Sequence, residues 1–175
     1  MNFEEKIRII KDFPKPGISF KDITPILEDS KTFEEIIKEF SFFSQKFLSS
    51  KLKIVALESR GFIFGAPLAL KLGIPLVLIR KAGKLPFSTY SKSYALEYGK
   101  ATIEIHTDSF KDGDEVIIID DVLATGGTAQ AAEELILENF PNVSILSHYF
   151  LMELNFLKGK EKLKSDTFSL IKCND

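Results

Sequence analysis

Apolar residues fall into two rhythms along this chain. Phe33, Ile36, Ile37, Phe40, Phe43 and Phe47 recur at spacings of three and four, which predicts a helix over 32–48 with that stripe in the core. Elsewhere the apolar residues run together. Segments 53–57, 74–80, 116–119 and 143–152 are nearly continuous in β-branched and aliphatic side chains, the signature of strands buried on both faces of a parallel sheet. The 116–119 strand is expected to stop at Asp120 and Asp121. Between these runs the helical rhythm returns, at Ile63, Phe64, Leu68, Ala69 and Leu70, and again from Ala129 through Ile136 to a stop before Pro141. Alternation at 101–107 predicts a half-exposed strand, 111–114 a turn, 154–163 a lysine-rich turn or short helix, and 167–171 a last edge strand. Strands alternating with helices give an α/β fold with a central, mostly parallel sheet flanked by helices.

Two stretches break the rhythm. After a short amphipathic helix expected at 3–10 (Phe3, Ile7, Ile9, Ile10), residues 12–25 carry Pro14, Pro16, Gly17 and Pro25. That density of breakers predicts a long rigid loop without regular structure, with Phe13 and Phe20 forming either a wall beside a ligand or a cap over the sheet. Residues 81–99 are polar and glycine-bearing, and read as a long surface loop or hairpin. Such a segment serves as a lid or as a solvated excursion.

Composition narrows the class. A chain of 175 residues, 45% hydrophobic and 27% charged, is expected to be one globular domain with a full core. A net charge of −2 argues against a generally nucleic-acid-binding surface. One cysteine excludes an internal disulfide and fits a reducing compartment. The charged first ten residues do not resemble a signal peptide, and no segment approaches membrane-spanning length, so a cytoplasmic protein without membrane partners is expected. His106 has no partner at ligand spacing, and His148, inside a buried-type strand, is expected to be a satisfied core histidine.

The chemistry concentrates after the 116–119 strand. Asp120 and Asp121 are followed by a small-residue loop, Ala124, Thr125, Gly126, Gly127 and Thr128, and then by a helix. Glycines let backbone N–H groups approach an oxyanion, the threonines add hydroxyls, and the helix N-terminus adds positive potential, so the loop suits a phosphate. No lysine follows the glycines, which excludes the nucleotide-binding P-loop. On a continuing strand adjacent carboxylates point to opposite faces, so these two cannot both grip one atom unless the strand ends there. Ligands of parallel sheets sit beyond the carboxyl ends of strands, which places Arg60 and Gly61, just past the 53–57 strand, on the same rim. Arg60 offers phosphate a planar fork of donors, unless Glu58 pairs with it at the surface.

The run Asp-Asp-Val-Leu-Ala-Thr-Gly-Gly-Thr at 120–128 resembles the phosphoribosyl diphosphate (PRPP) loop of the purine and pyrimidine phosphoribosyltransferases, in the form carried by their adenine-specific members. Phe-Pro-x-Pro-Gly at 13–17, Glu-Ser-Arg-Gly-Phe at 58–62, Leu-Glu-Tyr-Gly at 96–99 and Leu-Lys-Gly at 157–159 match further motifs of that family in its order. The resemblance implies a type I phosphoribosyltransferase-like fold over 1–175, with an N-terminal hood at 1–30 and a mobile flap at 81–99. It implies transfer of a phosphoribosyl group from PRPP to adenine, giving AMP and diphosphate, in a homodimer. A 6-oxopurine substrate (hypoxanthine, guanine or xanthine) and a non-catalytic PRPP-sensing regulator are the alternatives.

Site roles follow from the same resemblance. Ala124, Thr125, Gly126, Gly127 and Thr128 would hold the 5′-phosphate. Glu58, Ser59, Arg60, Lys81 and Lys84 would serve the diphosphate. Ser19, Phe20, Arg60 and Val122 would meet adenine. Asp120, Asp121, Arg60 and Glu97 would be catalytic, Glu97 as the group that moves a proton at the purine ring, and Tyr98 would help close the flap. Mg²⁺ would bind through substrate oxygens and water near Asp120 and Asp121, with no direct protein ligand.

Overall fold

The computed structural model describes residues 2–95 and 99–174. Strands β1 (Arg8–Lys11) and β2 (Ser19–Asp22) pair antiparallel as a separate two-stranded sheet. Helices α1 (Thr24–Glu28) and α2 (Ser30–Ser44) follow. Then come β3 (Leu52–Leu57), α3 (Gly61–Leu72), β4 (Leu76–Lys81), β5 (Thr89–Ala95), β6 (Lys100–His106), β7 (Glu115–Leu123), α4 (Gly127–Asn139), β8 (Ser144–Leu154) and β9 (Thr167–Cys173). The main sheet has seven strands in the order β5-β6-β4-β3-β7-β8-β9. The β4-β3-β7-β8-β9 pairings are parallel; β6 joins β4 and β5 antiparallel.

Burial on both faces explains the unbroken apolar strands. Ile54, Ala56, Ile117 and Ile119 pack with Ile36, Phe40, Phe64 and Leu68 of α2 and α3. Val55, Leu57, Val116 and Ile118 pack on the other side with Ala131, Ala132, Leu135 and Ile136 of α4. Helix α3 lies close on the sheet because its inner face carries glycines. A Cβ on Gly65 would sit 2.7 Å from that of Ala56, and one on Gly61 would sit 2.7 Å from the carbonyl oxygen of Ile119.

Four expectations are corrected. The first residues form a 3-10 turn at Glu4–Lys6 and then strand β1, not an amphipathic helix. Ile9 and Ile10 are exposed, and a segment that short is shaped by its partner strand rather than by its own periodicity. Residues 12–25 are not wholly irregular: Pro14, Pro16 and Gly17 lie between β1 and β2, Ser19–Asp22 pairs, and Pro25 is accommodated in the first turn of α1. Strand β7 does not stop at Asp120. It runs on to Leu123 because Val122 and Leu123 continue the ladder with Met152 and Glu153. His148 is core, but only partly satisfied: its Nε2 lies 3.5 Å from Glu133 Oε1, while its Nδ1 is buried without a partner among the described residues.

Candidate active site

A cavity of about 1150 Å³ opens at the carboxyl ends of β3, β4, β7 and β8. Its wall includes Ser19 and Phe20 of the β1–β2 hairpin, Glu58, Ser59 and Arg60 after β3, Lys81 at the end of β4, and Asp120, Asp121 and Val122. Ala124 and Thr128 lead from it into a second recess of about 80 Å³ formed by the whole 124–128 loop. Most of the sequence-selected residues therefore share one site. Lys84 does not line either recess; its carbonyl oxygen accepts a hydrogen bond from Arg80 at 3.2 Å. Glu97 and Tyr98 lie outside the described residues.

The loop is shaped for an anion. Gly126 takes φ 78°, a left-handed turn that lets the chain enter α4, and no side chain caps that helix. Among the described residues the first N–H groups of α4 thus have no side-chain cap, and Gly127, Thr128 and Ala129 line the recess, where the helix dipole favours negative charge. The outer side of the loop is braced by the 3-10 turn at Gly159–Lys162. A Cβ on Gly126 would overlap the backbone of Gly159, and one on Gly159 would overlap the carbonyl oxygen of Ala124.

Charges around the cavity are arranged in pairs. Arg60 sits at the N-terminus of α3 and forms an ion pair with buried Asp121, while half of its side chain remains accessible. Burial lowers the Arg60 pKa, but the hydrogen bond and charge of Asp121 outweigh it and raise it overall. The surface pairing with Glu58 does not form. Glu58 instead receives Arg80 Nε at 3.2 Å and the Lys81 N–H at 2.9 Å, so its carboxylate is engaged by β4. The Glu58–Ser59 peptide is cis. Asp120 is held well above the usual carboxylate range, first by burial and then by the charge of Asp121. Since β7 continues through them, the two carboxylates lie at different points: Asp121 at Arg60, and Asp120 at the border of the large cavity and the smaller recess.

Among the described residues no three His, Cys, Asp or Glu side chains converge on a metal position. Asp120 and Asp121 at the cavity edge are hard oxygen donors of the kind that fit a divalent cation or its water shell.

Residues 24–171 match the model of the phosphoribosyl transferase domain. The chain is 51% identical over 168 residues to the adenine phosphoribosyltransferase of Syntrophotalea carbinolica, covering 95% of each. The chain belongs to the adenine phosphoribosyltransferases. Solved structures agree: the enzyme from Thermoanaerobacter pseudethanolicus superposes with TM-score 0.89 at 47% identity, covering 97% of each chain. The enzyme from Saccharomyces cerevisiae, complexed with an imino-altritol bisphosphate and adenine, gives 0.90 at 40% identity over 96% of each.

Several site features had no sequence signal. Tyr94 on β5 reaches Thr128, and Lys92 pairs with Glu134 and Glu138 of α4. Their spacing from α4 in sequence gives no hint of contact. The Gly126–Gly159 approach could have been suspected from two separate glycine motifs, but only the fold joins them.

Proposed function

We infer that this chain transfers the 5-phosphoribosyl group from PRPP to adenine, giving AMP and diphosphate in purine salvage. The observation that carries this reading is the convergence of an uncapped glycine loop, the Arg60–Asp121 pair and the β1–β2 hairpin on one cavity, in a chain of this family. The yeast relative's complex with adenine and a bisphosphate supports the choice of base.

The residues divide the substrate. Ala124 to Thr128 take the 5′-phosphate on backbone N–H groups and hydroxyls. Ser59, Arg60 and Lys81, with the N-terminus of α3, take the diphosphate. Ser19 and Phe20 of the hood and Val122 of the floor enclose the base. The bond from C1′ to diphosphate breaks as the bond from purine N9 forms, and the N9 proton must leave. Glu97 is the group assigned to that proton. Asp120 and Asp121, at the cavity rim, are the groups assigned to meet the positive charge that develops on the sugar, so these acids favour the transition state over the ground state. Mg²⁺ bound to substrate oxygens, with Asp120 and Asp121 near its water shell, would neutralise the departing diphosphate. The flap at 81–99 closes over this site to exclude water.

Further parts of the reading concern context. A single domain forming a cytoplasmic homodimer is supported by the lone cysteine and by exposed apolar side chains such as Phe42 and Leu70. Sedimentation of the purified protein tests the dimer. Incubation with PRPP, Mg²⁺ and each purine base in turn tests the reaction. AMP formed from adenine is expected; activity confined to hypoxanthine or guanine would overturn the base assignment.

A further inference from the structure

Tyr94 projects from β5 across the start of α4. Its phenol oxygen lies 3.1 Å from Thr128 Oγ1, and a Cβ on Gly127 would touch its ring at 3.8 Å. The side chain is half-buried and lines the large cavity. Two residues earlier on the same strand, Lys92 reaches over α4 to Glu134 at 3.0 Å and also to Glu138. So β5, the strand that leads into 96–98, is fastened to α4 at two points, one of them inside the phosphate loop.

A threonine hydroxyl has one proton to give and lone pairs to accept with. With no anion in the loop, Thr128 can donate to Tyr94. With a phosphate in the loop, the charge-assisted bond claims the Thr128 proton, and Tyr94 must then donate to Thr128. The chain Tyr94 O–H to Thr128 O–H to phosphate is polarised in one direction and strengthens along its length.

We propose that Tyr94 is a positioning residue that ties the β5 strand of the flap to occupancy of the phosphate loop through this relay. The proposal rests on the reading that 124–128 holds the 5′-phosphate. It follows that the sugar phosphate, rather than the diphosphate or the base, fixes the strand three residues before Glu97.

The test compares Tyr94→Phe with wild type, because phenylalanine keeps the ring and removes the hydroxyl. Affinities for ribose 5-phosphate and for diphosphate are measured separately by calorimetry, with the KM for PRPP and for adenine. The expected result is a three- to tenfold loss for ribose 5-phosphate and PRPP, the range for one hydrogen bond, with diphosphate and adenine within twofold of wild type. In a Thr128→Val background, Tyr94→Phe should add nothing, since the relay is already cut. Ribose 5-phosphate should slow amide exchange in 89–95 of wild type but not of Tyr94→Phe. Equal losses for ribose 5-phosphate and diphosphate, no loss for either, or full additivity with Thr128→Val would overturn the relay. If Thr128→Val alone left ribose 5-phosphate binding unchanged, the assignment of the loop itself would fall. If Thr128→Val weakened binding and Tyr94→Phe did not, only the relay would fall.

Discussion

Asp121 and Glu133 are both buried carboxylates, neutralised in different ways. Asp121 is held by Arg60, a side chain still half-accessible and able to turn toward an incoming anion. Glu133 is held by the N–H groups of Lys164 and Ser165 at 3.0 Å, the Ser165 hydroxyl at 2.6 Å and His148, none of which faces the cavity. The first arrangement is suited to turnover, the second to holding α4 against the chain before β9. Asp121→Asn should therefore cut kcat about 100-fold with the fold intact, since it removes the charge that orients Arg60 and meets the cationic sugar. A kcat near wild type, with an unchanged circular dichroism spectrum, would take Asp121 out of the chemistry. Glu133 should act on stability instead. Burial pushes its pKa up, but His148, the Lys164 N–H and Ser165 outweigh that and lower it from 4.5 to about 2. A depressed carboxylate stabilises the fold in full above its unfolded pKa, and loses that contribution as pH falls toward its folded one. The stability gap between wild type and Glu133→Gln, on the order of 3 kcal/mol at neutral pH, should shrink between pH 4.5 and 2. Urea melts across that range read it directly, and a gap independent of pH would show that the charge contributes nothing.

At the scale of elements, the same residue type does different work in different places. Gly73 ends α3 in the left-handed region at φ 67°, with open space where a Cβ would go. Gly73→Ala should cost about 1 kcal/mol of stability and leave every KM unchanged. Gly159 faces backbone, which cannot swing aside as a side chain can. Gly159→Ala should push the 124–128 loop off its position and raise the KM for PRPP by an order of magnitude, about the cost of one displaced hydrogen bond to a charged group. The KM for adenine should hold. Kinetics on both substrates separates the two glycines, and equal effects on PRPP and adenine would argue against the brace. This contrast also marks what the chain discloses by itself. Helices α2, α3 and α4 and the strands of the main sheet other than β5 were legible because burial on one or two faces writes a period into the sequence; β5, largely exposed, was read only as part of a surface loop or hairpin. The β1–β2 hairpin was not, because Ile9 and Ile10 face solvent and β1 exists only through its ladder with β2. The course of β7 past Asp120 was hidden for a related reason: its last residues are extended by pairing with β8, not by their own side chains. Asp120, Arg60 and the glycine loop could be read as a site from strand ends alone. Their pairing scheme, Arg60 to Asp121 and Glu58 to Arg80, could not, because it depends on side-chain directions at the rim.

The whole molecule separates its stability from its site. An aromatic cluster lies on the α2–α3 side of the sheet, where Phe40 stacks on Tyr149 at 5.7 Å and meets Phe64 and Phe168 edge-on at 6.4 and 6.3 Å. None of these four rings lines the cavity, whose residues come from the strand ends, the hairpin and the loop. Phe40 is fully buried, so Phe40→Ala leaves a large void and should cost about 3 to 5 kcal/mol. Ligand binding contributes through a different route. AMP at about 100 times its Kd should stabilise the native state by about 2.7 kcal/mol, provided the unfolded chain does not bind it. If the core and the rim are independent, that increment is the same in Phe40→Ala as in wild type, because mutations without shared partners add. Chemical denaturation of both proteins with and without AMP gives all four free energies. An increment clearly smaller in the variant would mean that the α2–α3 core sets the geometry of the rim, with α3 as the path, since its first residues include Arg60 as N-cap and Gly61 against β7. An equal increment would mean that the sheet alone, clamped between its two apolar layers, is stiff enough to hold the site while one of those layers is damaged.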